Sequence, residues 1–314
     1  MLPPAGDPER ILQRLEWTVI RRLDGLLQGN YRTLFRGFGT ELAELREYVL
    51  SDDVRYIDWY VTARLQTPYV RQYVEDREIT AWFLLDLSPS LDFGTVTTEK
   101  RTLLADCVGV LARLLTRHGN RVGALFFAGS QERFIPAQNG RNHVLRILED
   151  LLRQPRLARA PMTDLSFPLT TALRMIRRRS LIFLVSDFIS APGWEKPLSL
   201  LTQRHELLAV RVTDPRESEL PDIGPLVLED SETGEQLFVD THDRAFRRRF
   251  ADAAASREAS LQAMLARRGI DLLSLSTEGD LVAELMRFAQ IRRERKKLPS
   301  RQNLPRGAAM AAAG

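Results

Sequence analysis

The chain has 314 residues, 44% of them hydrophobic and 27% charged, which is enough apolar material for one large α/β domain with an extension or for two small domains. Its longest uncharged apolar runs, such as residues 181–186, are far shorter than a bilayer requires, and the start Met-Leu-Pro-Pro-Ala-Gly-Asp has no secretory apolar region, so no transmembrane segment and a soluble, cytoplasmic protein are expected. The formal charge of +4 is local: from Arg292 onward seven basic residues stand against Glu294, a net of +6, which leaves about −2 on residues 1–291 and argues against a nucleic-acid-binding face.

Residues 8–27 place Ile11, Leu12, Leu15, Val19, Ile20, Leu23 and Leu26 at helical spacing with Arg and Glu between, the pattern of a docked amphipathic helix. A glycine-bearing connection over 30–39 follows. Residues 41–64 are dense in charge and aromatics and follow no simple period; such a segment holds itself by arginine pairing to carboxylates and aromatics, either as a partner surface or as a brace against the main domain. Residues 69–78 alternate as a strand, and residues 79–94 hold the pivot of the chain. There a nearly unbroken apolar run, 81–85, reads as a strand buried on both faces and ends on Asp86.

Leu103, Leu104, Cys107, Val108, Leu111, Leu114 and Leu115 then repeat as a core helix that stops at Gly119. Cys107, the single cysteine, lies on its apolar face, so neither a disulfide framework nor a thiolate metal site is available. Strands are expected over 121–128 and 132–136, the second as a hairpin partner of the first, and helices over 142–152 and 169–178. A second strongly buried strand, 180–185, also ends in a carboxylate, at Ser186-Asp187. A strand over 206–212, a β-hairpin formed by 225–228 and 236–239 with Gly234 in its turn, a long helix over 244–268, a strand over 271–275 and a helix over 280–291 complete the pattern.

This alternation predicts a doubly wound, mostly parallel sheet with helices on both faces. The expected organisation is an N-terminal helix and charged brace over residues 1–75, the α/β domain over 76–291 with its hairpin near 225–240, and a disordered basic tail over 292–314. The tail alone is a candidate for weak peripheral contact with anionic partners.

Asp86, Ser88 and Ser90 alternate with Leu87 and Pro89 in the loop that leaves the pivotal strand, where open α/β sheets bind ligands. Together with Asp187 and with Thr163, at the head of an intervening helix, they form an oxygen-only set suited to a hard cation such as Mg²⁺ or Mn²⁺, with positions left open. Capping and turn roles for Ser88, Ser90 and Thr163 fit the same residues, and the pattern alone leaves both readings open.

Asp86-Leu-Ser-Pro-Ser90, Thr163-Asp164-Leu165 and Ser186-Asp187-Phe188 resemble the metal-ion-dependent adhesion site of the von Willebrand factor A-like fold. Residues 37–48, Asp52-Asp-Val-Arg-Tyr-Ile-Asp-Trp59 and Ala63-Arg64, with Asp214-Pro-Arg-Glu217 and Glu229-Asp-Ser-Glu-Thr-Gly234, resemble the bacterial family called domain of unknown function 58. The resemblance covers about residues 21–288. It implies a six-stranded sheet in which the strand ending at Asp86 neighbours the one ending at Asp187, and a metal site at Asp86, Ser88, Ser90, Thr163 and Asp187. It further implies a non-enzymatic adaptor or co-chaperone working with a MoxR-type AAA+ ATPase on a client the sequence does not name. Relatives often carry N-terminal membrane helices that are missing here, and Ser51 replaces a usual glycine.

A metal-dependent phosphoester hydrolase is the alternative reading, and a scaffold with an empty site a further one. Against hydrolysis, Ser88 stands where a second carboxylate of an aspartyl-phosphate enzyme would be, and no Gly-Lys-Ser/Thr phosphate loop exists. His118, His143, His205 and His242 have no metal-ligand spacing and are expected to be solvated or capping. The arginine runs 177–179 and 247–249 are candidate anion sites, although such runs on helix faces are usually solvated.

Overall fold

In the computed structural model the described residues are 7–21, 23, 44–49, 54, 57–72, 78–95, 98–129, 131–157, 162–230 and 233–297. The connection over 30–39, the Asp52-Asp53 pair and the tail beyond 297 lie outside them. The elements in chain order are α1 (Pro8–Leu15, continued by a π turn Glu16–Ile20), β1 (Glu44–Glu47), α2 (Trp59–Leu65), β2 (Tyr69–Gln72), β3 (Thr80–Asp86) and α3 (Lys100–Arg117). Then come β4 (Arg121–Ala128), β5 (Gln131–Gln138), α4 (Arg141–Arg153), α5 (Ser166–Met175), β6 (Leu181–Ser186), α6 (Glu195–Arg204) and β7 (Glu206–Thr213). The chain continues through β8 (Pro225–Glu229), β9 (Gln236–Asp240), α7 (Arg244–Arg267), β10 (Asp271–Ser276) and α8 (Leu281–Lys297).

Six strands form one sheet in the order β10-β7-β6-β3-β4-β5, parallel except for β5, which returns antiparallel beside β4. The period of two sends Ala81, Phe83 and Leu85 of β3 into one apolar layer and Trp82 and Leu84 into the other. Both layers are covered: α1, α3, α4 and α8 pack on the first and α5, α6 and α7 on the second. Phe83 stacks on Phe183 of β6 across the central pair, with ring centroids 4.8 Å apart. Complete burial of each such side chain stabilises the fold by about 1.5–3 kcal/mol.

The first helix belongs to this core rather than lying beside it. Leu12, Leu15, Val19, Ile20 and Leu23 are all buried in the first layer, and α1 crosses α3 closely at Gly109, where a Cβ would come within 2.9 Å of the tip of the Leu15 side chain. Its polar face is tied down by Arg14 to Asp106 at 2.6 and 2.7 Å, Glu16 to Arg113 at 2.7 Å and Glu9 to Arg141. Burial pushes the Cys107 thiol, in the same layer, up to about 12, so it stays protonated and inert.

Three sequence expectations change. Of the strand expected over 69–78, the described residues show β2 (Tyr69–Gln72), which pairs with β1 in a two-stranded sheet separate from the six-stranded one, and residues 73–77 lie outside them; β1 and α2 arise within the segment that shows no period. Asp58 caps α2 by accepting from the Tyr60 and Val61 amides, while Trp59 and Tyr60 are 69% and 83% exposed, so these two rings do not brace the main domain. The last helix runs six residues past its expected end, to Lys297, because Arg292, counted above with the tail, is buried against the strand starts.

Helix α6 has no counterpart in the sequence pattern. Pro197 sits in its first turn, Leu198 and Leu201 are buried while Leu200 is exposed, and two apolar anchors do not make a readable period. Among the described residues no helix is long and apolar enough to cross a membrane.

Candidate metal centre at the carboxyl ends of two central strands

β3 and β6 are hydrogen-bonded neighbours, with Leu85 opposite Val185. The strand order reverses between them, since the chain proceeds from β3 outward to β4 and from β6 outward to β7 in the other direction. Asp86 and Asp187 therefore emerge side by side at the switch point, and both are buried. Ser88 and Ser90, 1% and 7% exposed, are brought back over Asp86 by a 3₁₀ turn, Pro89–Asp92. The Ser88 amide donates to Asp86 Oδ1 at 2.9 Å, and the two serine hydroxyl oxygens lie 3.0 Å apart.

A Cβ on Gly94 would come within 2.5 Å of the Glu99 Cα and 2.6 Å of the Thr98 carbonyl, so the return of this loop to α3 has room for glycine alone. Thr163 lies in the loop three residues before α5 and is buried. That loop is stitched to the one after β6: the Thr163 carbonyl accepts from the Ala191 amide at 2.8 Å and the Ser190 hydroxyl at 3.0 Å. All five residues singled out in the sequence thus lie at one end of the sheet, Asp86 as the last residue of β3 and the other four in loops.

Three further residues belong to the centre. Ser186 donates its hydroxyl to Asp86 Oδ2 at 2.7 Å and accepts from the Phe188 amide at 2.9 Å. That second bond fixes the sharp turn in which Phe188 takes a left-handed backbone, φ 60°, a conformation costing about 1–2 kcal/mol for a residue with a side chain. Lys100, at the first position of α3, has no exposed surface; its ammonium donates to Asp187 Oδ2 at 3.0 Å and to Glu217. Glu217 in turn accepts from the Asp214 amide in a capping box after β7.

The electrostatics follow from burial. Burial first, then the adjacent Asp187 charge, push the Asp86 carboxyl up to about 7. Burial alone would lower the Lys100 ammonium, but Asp187 and Glu217 outweigh it and raise it above the ordinary lysine value. Were all ionised, three carboxylates (Asp86, Asp187, Glu217) would outnumber the Lys100 ammonium, but Asp86 is only partly ionised at neutral pH and Arg211 adds positive charge facing Asp187 and Glu217.

This set fits a hard divalent cation. Its donors are all oxygen, and a +2 ion would offset the cost of ionising Asp86 and Asp187 side by side. Among the described residues no group of three or more His, Cys, Asp or Glu could hold a metal, so such an ion would depend on the serine and threonine hydroxyls as well as on the two aspartates. A cleft of about 910 Å³ opens beside Asp187, between the ends of β6 and β7 and helix α7, lined among others by Arg211, Trp194, Glu258 and Met264. It offers room for a side chain of another molecule to approach the centre.

The histidines lie elsewhere. His118 caps α3 by contact with the Leu114 carbonyl at 2.8 Å, and His242 pairs with Asp222 at the surface. His143 and His205 are buried, contrary to expectation, and burial lowers both below the usual imidazole value; the ring of His143 donates to the Val122 carbonyl at 2.9 Å.

The six-stranded, mostly parallel sheet with helices on both faces has the von Willebrand factor A-like α/β fold expected from the sequence. The chain belongs to the family described as protein of unknown function DUF58, whose model matches residues 44–260. An uncharacterized protein of Mycobacterium tuberculosis is 40% identical over 282 residues, covering 90% of this chain and 89% of its own length. An uncharacterized protein of Mycobacterium avium is 38% identical over 168 residues, 54% of this chain and 98% of its own. Among solved structures, an aerotolerance-related membrane protein of Bacteroides fragilis aligns with a TM-score of 0.43 at 13% identity, covering 70% of this chain and all of that one. The VWA domain of SpRpn10 aligns with a TM-score of 0.39 at 14% identity, covering 67% and 94%.

Proposed function

We propose that the chain is a non-enzymatic, divalent-metal-dependent protein-binding adaptor. Asp86, Ser88, Ser90, Thr163 and Asp187 would hold one Mg²⁺ or Mn²⁺ ion, and an acidic side chain of a partner would reach it through the neighbouring cleft. The observation that carries this reading is the meeting of two fully buried carboxylates, Asp86 and Asp187, among serine and threonine hydroxyls at the switch point, with the Asp86 carboxyl pushed up to about 7 by burial and by Asp187: ionising both side by side is costly, and a divalent ion would offset that cost with a position to spare. Lys100 holds Asp187 toward Glu217, and Ser186 fixes the orientation of Asp86, so the chain's own residues preset the ligand geometry. The resemblance to proteins that work with MoxR-type AAA+ ATPases makes such an ATPase the partner to test, either as the bound protein or as the motor acting on a shared client.

The test is a pull-down with the ATPase in Mg²⁺ and in EDTA, paired with titration calorimetry of the metal alone. Binding of one divalent ion and metal-dependent capture, both lost in Asp86→Ala, are expected. Capture that survives EDTA would separate recognition from the metal, and no metal binding at all would leave a scaffold whose cluster is balanced by protons. Phosphoester hydrolysis present in the wild type and absent in Asp86→Ala would replace the adaptor by the hydrolase.

A further inference from the structure

The β8–β9 hairpin stands apart from the main sheet as a two-stranded sheet of its own, and its composition does not suit an isolated ribbon. Register pairs Val227 with Phe238 on one face, and Leu226 with Val239 and Leu228 with Leu237 on the other. Apolar residues thus occupy both faces, and Phe238, Leu237 and Val227 are 81%, 58% and 44% exposed. Two strands alone are marginally stable in water, and an exposed strand edge invites pairing.

The two edges differ. The flanking bonds, Thr241 amide to Gly224 carbonyl and Asp230 amide to Glu235 carbonyl, set the antiparallel alternation, so the backbone groups of Gln236, Phe238 and Asp240 face away from β8, and those of Pro225, Val227 and Glu229 face away from β9. Pro225 has no amide to offer on the β8 edge, and Glu229 puts a charge there, two devices that close an edge. The β9 edge has no proline; Asp240 puts a charge at its far end and its carbonyl already accepts from the Asp243 amide at 3.3 Å, which leaves the amide and carbonyl of Phe238, at the centre, as the outward pair on which pairing turns.

The geometry points to self-association: two copies of the chain pair β9 against β9 antiparallel about a twofold axis through Phe238, making a four-stranded sheet in the order β8-β9-β9-β8. In that register the two Phe238 residues exchange amide and carbonyl bonds, Leu237 of each copy faces Val239 of the other, and Gln236 faces Asp240, so no like charges oppose each other. Charge fits the same arrangement. The turn carries Glu229, Asp230, Glu232 and Glu235 with no basic residue, whereas the start of α7, just beyond β9, exposes Arg244, Arg248 and Arg249. Antiparallel pairing sets the acidic turn of each copy beside the basic helix start of the other. A parallel arrangement or pairing through β8 would set acidic turn beside acidic turn or meet the missing Pro225 amide.

The contact is independent of the metal centre and is tested in EDTA. Sedimentation velocity of the full chain across about a hundredfold range of concentration should show a reversible monomer–dimer equilibrium. Phe238→Lys, which places two ammonium groups on the axis, should weaken it at least about tenfold, while Val227→Lys on the closed edge should change it less than about twofold. In the wild type, amide hydrogen exchange at Phe238 and Asp240 should slow as concentration rises, a measurement that needs no variant to fold. A chain that sediments as a monomer throughout, or a dimer indifferent to Phe238→Lys, or equal weakening by both lysines, would overturn the proposal.

Discussion

Two buried cations stand at opposite ends of the same sheet, each between two carboxylates, and they do different things. At the amino ends of the strands, Arg292 of α8 donates to Asp271 at 2.8 Å and to Glu206, the first residues of β10 and β7. At the carboxyl ends, Lys100 of α3 donates to Asp187 and Glu217. The partners of Arg292 are 20% and 24% exposed, so water shares their charge and the group is a clamp between helix and sheet. Lys100, Asp187 and Asp86 are sealed, Glu217 alone reaches water at 24% exposed, and Asp86 brings a third carboxylate into the cluster. An ion pair shared with water secures the fold, whereas two buried carboxylates held side by side are costly to ionise together.

Removing the cation should therefore hurt most at the carboxyl end. Lys100→Met keeps the length of the side chain but strands Asp187 beside Asp86, and breaking a buried pair in this way costs about 3–5 kcal/mol. Urea denaturation at neutral pH should show the loss, and saturating Mg²⁺ should recover part of it by returning positive charge. An unchanged midpoint would mean that the ammonium is not needed to hold the carboxylates.

The next effect is in pH. The Asp86 carboxyl, pushed up to about 7 in the folded chain by burial and by Asp187, titrates near 3.9 when unfolded. Between these values the folded state holds a proton that the unfolded state has released, so the contribution of Asp86 is complete below about pH 4 and is lost as pH rises to about 7, at most about 4 kcal/mol. Stability in EDTA should fall across this window once the ordinary carboxylate contributions are subtracted using Asp86→Asn, which should lack that fall and be more stable than wild type at pH 7.5. Mg²⁺ should restore the wild type and not the variant. A wild type whose pH profile matches that of Asp86→Asn would show that Asp86 is not strained by its charge.

The contrast also explains what could be read from the sequence. β3 and β6 are legible because strands buried on both faces are continuous apolar runs, and Asp86, Ser88, Ser90 and Asp187 are legible because they follow those runs directly. Lys100 and Glu217 are not, since the ammonium meets Asp187 and Glu217 from 87 and 117 residues away, and a lysine at a helix start reads as a solvated charge. One signal was present: two cations, Lys100 and Arg101, open α3, against the helix dipole, which calls for compensating carboxylates nearby. Arg292 misled for the opposite reason. It begins a dense basic run, and charge density hides a single residue whose guanidinium turns inward.

The smallest effect tests the amino-end clamp, and with it the place where the fold stops. Arg292 is buried, yet its carboxylate partners keep contact with water, so Arg292→Ala should cost about 2 kcal/mol, the worth of hydrogen bonds to charged groups without a sealed charge left behind. Removing everything after Ile291 deletes the same guanidinium together with the last turns of α8 and should lower the melting temperature at least as much. Removing everything after Lys297 deletes neither and should leave it nearly unchanged. Differential scanning calorimetry of the three forms orders them. If truncation after Ile291 melts like the full chain while Lys100→Met does not, the two cations differ even more than their exposure implies, and Arg292 rests on the sheet without holding it.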